Sequence, residues 1–277
     1  MRTLLPVLAV ISAAWAQTWT TGWDSKEFLQ YGCKPVMFFF AKATFEPGNM
    51  GNTVGPRVSN ALKSAFGVAN VATEGIDYWG LPLGNFYPGG APPWGITEMA
   101  QLLTAASACN QSEIIVAGYS QGAALTHRAV QSLPAAVKSK IAGIVTFGDT
   151  QTLQDGGRIL GFPTNKTLII CNIGDVVCTG TLLVYPVHLD YVKWVPTAVA
   201  YLIEKLLEAD ARDPFMGLGG EHGRRRERDR PAPGAGAVGL AFGVDGVGGA
   251  DADAVEWVMM EGWGDKKGVV VYCPYVA

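Results

Sequence analysis

Charge is scarce in this chain of 277 residues: Asp, Glu, Lys and Arg together make up 16%, and the net charge is −3. Such a balance offers no basic surface to neutralise a phosphate backbone. The basic cluster RRRERDR at 224–230 lies in a poorly patterned stretch, so no nucleic-acid partner is expected. Long apolar runs are missing as well. Beyond residue 16 no segment reaches the roughly 20 apolar residues of a membrane span, so no transmembrane segment is expected. Zinc-type C-x-x-C spacing is absent from the five cysteines, and neither a metal nor a cofactor is expected. Histidine is the rarest candidate base, with only three copies, which makes the search for an acid–base centre short.

What the chain does contain is enough apolar sequence, 49%, to bury a full core. MRTLLPVLAVISAAWA at 1–16 combines Arg2, a short apolar run and small residues at Ala14 and Ala16. This reads as a secretory signal peptide cleaved before Gln17, which predicts an extracellular protein and favours disulfides over free thiols. Aliphatic runs at 35–40, 71–77, 113–118, 141–147 and 167–171 read as buried parallel strands. Helical patterns occupy 54–66, 95–108, 121–133 and 194–209. Their alternation predicts an α/β class, with a globular domain over 17–210. A Gly-rich tail follows over 211–277, expected to be disordered or loosely attached. Asn110 and Asn165 open candidate glycosylation sequons.

The segment IIVAGYSQGAAL at 114–125 places Ser120 between a strand and a helix in a G-x-S-x-G pattern. Such a strand-to-helix turn holds a serine hydroxyl out of the sheet, and the helix N-terminus favours negative charge beside it. A serine needs a base to become a nucleophile. His127 lies two helical turns beyond the serine and points away, which reads as a surface or packing role. His222 sits beside the arginine cluster, leaving His188 in the loop before the last helix. The acid should fall between serine and base in chain order, and Asp175 in CNIGDVVCTG does so beside two cysteines able to staple its loop. Asp149 and Asp155 occupy strand-end or turn positions without such a staple, and Asp190 follows His188.

GYSQGAAL, GDVVCTG and HLDY, in that order and spacing with EPGNMG upstream, resemble the fungal cutinase family of serine esterases from about Cys33 to Ala209. The resemblance implies a three-layer α/β/α sandwich, a small α/β hydrolase with five parallel central strands and no large lid. It also implies a catalytic triad of Ser120, Asp175 and His188, an oxyanion hole from Thr44 and the Gln121 amide, and disulfides Cys33–Cys109 and Cys171–Cys178. Cys273 is then left over. Lys42 stands where the family usually has arginine, and Phe45 is bulkier than its usual counterparts. Leu81 and Leu83 in one apolar loop, with Leu182, Leu183 and Val184 in another, are the expected acyl-binding side chains. The activity implied is that of a monomeric secreted esterase acting on polyester or lipid-like esters, foremost cutin. Two competing readings remain at this point: an acetylxylan esterase, and a catalytically silent binding or elicitor protein.

Overall fold

The computed structural model describes residues 20–212. The expected signal segment, residues 213–277 of the expected tail, His222 and Cys273 lie outside the described residues. Five parallel strands, β1 (Val36–Ala41), β2 (Val71–Gly75), β3 (Glu113–Tyr119), β4 (Ile141–Phe147) and β5 (Thr167–Ile170), form one sheet in the order β2-β1-β3-β4-β5. Six α-helices accompany them: α1 (Glu27–Tyr31), α2 (Val54–Phe66), α3 (Pro93–Ala106), α4 (Gln121–Ser132), α5 (Ala135–Ser139) and α6 (Val195–Arg212). This is the expected sandwich.

The strands are apolar on both faces because both faces are covered. Along β1, Val36, Phe38 and Phe40 pack with α2 and α6, while Met37, Phe39 and Ala41 pack with α3 and α4. Every one of the six is fully buried. Side chains of a strand alternate between faces, so an unbroken hydrophobic run is the signature of a sheet sandwiched between helix layers. Each large apolar side chain so buried contributes about 1.5–3 kcal/mol.

Boundaries differ from the expected ones for local reasons. The helix expected at 95–108 begins at Pro93, where proline's fixed φ and missing N–H suit a first helical position. β3 runs on to Tyr119, past its expected end, and α6 continues to Arg212, beyond the expected boundary at 210. Both expected disulfides are formed. Cys33–Cys109 ties the approach to β1 to the end of α3 across 76 residues, and Cys171–Cys178 closes a loop of 7. In the loop-entropy picture these are worth about 4.5 and about 2 kcal/mol.

Strand order decides where chemistry can happen. From β1 the chain moves outward to β2, then returns to place β3 on the opposite side of β1. The switch point therefore lies between β1 and β3, where helices leave the sheet on opposite faces and a crevice opens at the strands' carboxyl ends. The residues following those two ends are Lys42–Phe45 and Ser120.

Candidate active site

Ser120 sits at the join of β3 and α4 with φ 55° and ψ −114°, a backbone conformation uncommon for a residue with a side chain. Its neighbours make the turn possible. A Cβ on Gly118 would lie 2.4 Å from the Gly122 carbonyl oxygen, and one on Gly122 would lie 2.0 Å from that of Ala41. Both glycines of the pattern are thus required by close approach, which draws the start of α4 against the end of β1. The Ser120 amide donates to the Phe147 carbonyl at 2.9 Å, fixing the elbow to the neighbouring strand β4.

His188 lies on a single 3₁₀ turn, Pro186–Leu189, and is buried. Its Nε2 is 2.9 Å from Ser120 Oγ and its Nδ1 is 2.7 Å from Asp175 Oδ2. Asp175 is held on its other side. It caps the short turn Val176–Thr179 by accepting from the Val177 amide at 3.1 Å, and Tyr191 donates its hydroxyl to Oδ2 at 2.6 Å. Burial pushes the Asp175 carboxyl up, but hydrogen bonds from His188 and Tyr191 outweigh it and hold the group below its usual range. Burial raises the Tyr191 phenol, so that residue remains a donor. The arrangement can keep an imidazole in one tautomer and stabilise its cation when it takes a proton.

Thr44 follows β1 in a tightly tied turn. Glu46 accepts from the Ala43 amide at 2.8 Å and from the Thr53 amide at 3.0 Å, and Lys42 donates its ammonium to the Glu46 carbonyl at 2.6 Å. Lysine thus bonds within its own turn. Phe45 adopts φ 65° with its amide donating to the Gly80 carbonyl at 2.8 Å, which leaves its ring exposed. Asn85 donates to Thr44 Oγ1 at 3.4 Å. Since that oxygen accepts, its own proton is available to another acceptor. Gln121 is fully buried, with its side-chain amide donating to the Leu81 carbonyl at 3.0 Å. Its backbone N–H belongs to the first turn of α4, where amides have no acceptor within the helix.

Leu81, Leu83, Leu182, Leu183 and Val184 are all exposed, between 46% and 67%. Trp79 and Phe86 of the first loop are more exposed still. Between the two loops is a cavity of about 150 Å³, lined by Asn85, Gly90, Thr150, Gln151, Gln154, Gly180, Thr181 and Leu182. Among the described residues, no group of three or more His, Cys, Asp or Glu side chains is arranged to hold a metal ion. Among those residues, no helix is long and apolar enough to cross a membrane.

Several supports were not singled out from sequence. Asn172 accepts from Trp194 Nε1 at 2.7 Å and donates to the carbonyls of Val187 and Asp190, joining the Asp175 and His188 loops. Tyr119 donates to the His188 carbonyl at 2.6 Å. Gly148, at φ 51°, has no room for a Cβ, which would lie 2.8 Å from His188 Cε1. For Tyr119 the available signal was its place inside the G-x-S-x-G pattern; for Tyr191, its place in HLDY. Asp190 instead pairs with Lys193 at 2.8 Å. His127 has a packing role with no surface component: it is fully buried between Asp149 and Asp155.

The family described as Cutinase matches residues 32–206. A cutinase of Pyricularia oryzae is 48% identical over 188 residues, covering 68% of this chain and 88% of the relative. A cutinase of Fusarium vanettenii is 43% identical over 162 residues, 57% of this chain and 70% of the relative. Among solved structures, a Trichoderma reesei cutinase in complex with a phosphonate inhibitor superposes with a TM-score of 0.60 at 30% identity, covering 67% of this chain and 80% of that one.

Proposed function

Because the chain belongs to the cutinase family, whose members are carboxylic ester hydrolases, we propose that it is a secreted serine esterase that cleaves cutin and related esters of apolar acyl chains through an acyl-enzyme on Ser120. The observation that carries this reading is the hydrogen-bonded series Ser120 Oγ, His188 and Asp175, with separations of 2.9 and 2.7 Å. In the proposed reaction His188 Nε2 takes the Ser120 proton as Oγ attacks the ester carbonyl. The imidazolium so formed is stabilised by Asp175 and returns its proton to the departing alkoxide, releasing the alcohol. Water then enters, gives a proton to His188 and attacks the acyl carbon, and the imidazolium returns that proton to Ser120 Oγ as the acid leaves.

Negative charge on the carbonyl oxygen is met, in this reading, by the Gln121 amide and by the amide and hydroxyl of Thr44. One such donor is worth about 3–4 kcal/mol in the transition state. Asn85 suits the Thr44 hydroxyl to this task by occupying its oxygen as donor. The five leucine and valine side chains of the two loops, of which Leu182 lines the cavity, would contact the acyl chain, and their exposure supports a substrate presented at a surface. Secretion rests on the N-terminal apolar segment, and a monomer is the proposed state.

The test uses soluble p-nitrophenyl esters of graded chain length, with cutin and acetylated xylan in parallel. The account expects hydrolysis of butyryl and longer esters, release of monomers from cutin, and loss of activity in Ser120→Ala with folding retained. A sharp preference for acetate with release from xylan would overturn the substrate assignment; an active Ser120→Ala would overturn the mechanism.

A further inference from the structure

A second group of buried charge adjoins the triad through the turn after β4. His127, on α4, has no exposed surface. Its Nε2 is 2.8 Å from Asp149 Oδ2 and its Nδ1 is 2.7 Å from Asp155 Oδ2. A neutral imidazole has one N–H and could donate to only one of them, whereas an imidazolium donates to both. The carboxylates are themselves fully engaged. Asp149 accepts from Thr146 Oγ1 at 2.7 Å and the Gln151 amide at 2.8 Å, and Asp155 accepts from Arg128 at 3.1 Å and Gln131 at 3.2 Å. The ionisable groups facing the cluster are Asp149 and Asp155 from the segment after β4 and Arg128 from α4. From α5 comes Lys138, whose ammonium donates to the Gln131 carbonyl. Burial opposes charge on His127, but the attraction of Asp149 and Asp155 outweighs it and pushes the imidazole up to about 9.

The position of this cluster matters more than its charge alone. Four consecutive residues, Thr146 to Asp149, touch both catalytic candidates and the cluster. The Phe147 carbonyl holds the Ser120 amide at 2.9 Å. Gly148 lies under the His188 ring, so near that an added Cβ would come within 3.0 Å of Nδ1. Asp149, the next residue, is clamped to His127, and Thr146 bonds the same carboxylate. Since α4 carries Ser120 at its N-terminus and His127 two turns later, a closed circuit runs from serine through helix, clamp and turn back to serine and base.

We propose that His127 is a positioning residue: as an imidazolium between Asp149 and Asp155, it fixes the Phe147–Asp149 turn so that Ser120 and the His188 ring stay within hydrogen-bonding reach of each other. Opening the clamp lets the turn shift, and with it the support under both groups. The consequence falls on kcat, because the serine–base separation sets the rate of proton transfer and leaves ester binding largely untouched. This inference rests on the triad reading above.

The experiment follows kcat on a soluble ester from neutral to alkaline pH alongside the imidazole ¹⁵N resonances of the full chain. In the unaltered protein, kcat is expected to fall at high pH with the midpoint at which His127 loses its proton, near 9. Asp155→Asn removes one of the two flanking charges and is expected to move both midpoints down together by about one unit or more. Asp149→Asn is expected to lower kcat at neutral pH on the order of 10- to 100-fold, with KM changed by less than about twofold.

A clamp that only stabilises the fold would lower Tm in these variants while kcat and its alkaline limb stayed where they were, and that result overturns the proposal. Should Asp149→Asn not fold, the unaltered protein decides alone: a His127 titration more than about one unit from the kcat limb overturns the proposal. Ser120→Ala serves as the control that separates the two readings. Residual hydrolysis there overturns the triad, whereas an inert Ser120→Ala beside unaffected Asp155→Asn kinetics overturns the role of His127 alone.

Discussion

His188 and His127 are both buried, and each places Nδ1 2.7 Å from an aspartate. They differ at Nε2, which meets the Ser120 hydroxyl at 2.9 Å in one case and the Asp149 carboxylate at 2.8 Å in the other. A hydroxyl is neutral and can give up a proton, so the first ring is free to exchange one. A second carboxylate demands a cation, so the other ring stays charged. In the proposed reading the same His–Asp pair becomes an acid–base device or an ionic clamp according to its third partner, and a single turn, Thr146–Asp149, lies between the two.

Replacing the acid of the first centre gives the largest effect. Asp175→Asn leaves the imidazolium of the transition state without its counter-charge and disturbs the tautomer, so kcat is expected to fall on the order of 10⁴-fold while circular dichroism still reports a folded protein. Undiminished turnover in that variant would remove the distinction between the centres.

At the second centre a loss of stability accompanies the fall in kcat. His127→Leu leaves Asp149 and Asp155 buried without their cation and is expected to cost about 3–5 kcal/mol in urea unfolding. Adding Asp149→Asn and Asp155→Asn should recover part of this, because the uncompensated charges are then gone. An unchanged unfolding midpoint in His127→Leu would show that the clamp holds nothing.

The comparison was only partly legible in the sequence. Five apolar runs and four helical patterns gave the sheet and its layers, since a parallel strand buried on both faces leaves an unbroken apolar signature. Ser120, Asp175 and His188 could be selected because the strand-to-helix pattern, chain order and scarcity of histidine narrow the choices to few residues. His127 could not be read that way. Its partners lie 22 and 28 residues downstream, and Asp149 and Asp155 look like ordinary turn residues until the sheet brings them beside α4. Short elements such as α1 and α5 were missed for a related reason: five residues are too few to show a helical period.

A smaller effect appears in the pH dependence of unfolding. With His127 pushed up to about 9, its stabilising contribution is complete below the free-imidazole value and is lost as pH rises through about 9. Asp149 and Asp155 lie below the usual carboxylate range despite their burial, because His127 and, for Asp155, Arg128 favour their charged forms. Their contribution is therefore present above that range and lost as pH falls through it. Unfolding free energy should be flat between about pH 5 and 6, then fall by about 3 kcal/mol in total as pH rises from about 6.5 to about 9, a loss that His127→Leu should abolish. An alkaline loss of equal size in His127→Leu would assign it to another group.

The smallest change sharpens the first centre. Tyr191→Phe removes one donor from Asp175 and is expected to cost about 1–2 kcal/mol of stability, with a severalfold fall in kcat. A Tyr191→Phe protein unchanged in both would mean that His188 alone suffices to hold the carboxylate.

The central claim, that Ser120 is a nucleophile activated by His188, is tested most directly by covalent labelling. The protein and its His188→Ala variant are treated with an alkyl fluorophosphonate at neutral pH, and the adduct is mapped by peptide mass spectrometry. The account predicts one adduct on Ser120 in the unaltered protein and labelling slowed by orders of magnitude in His188→Ala. An unlabelled Ser120, or equal labelling rates in the two proteins, would contradict it.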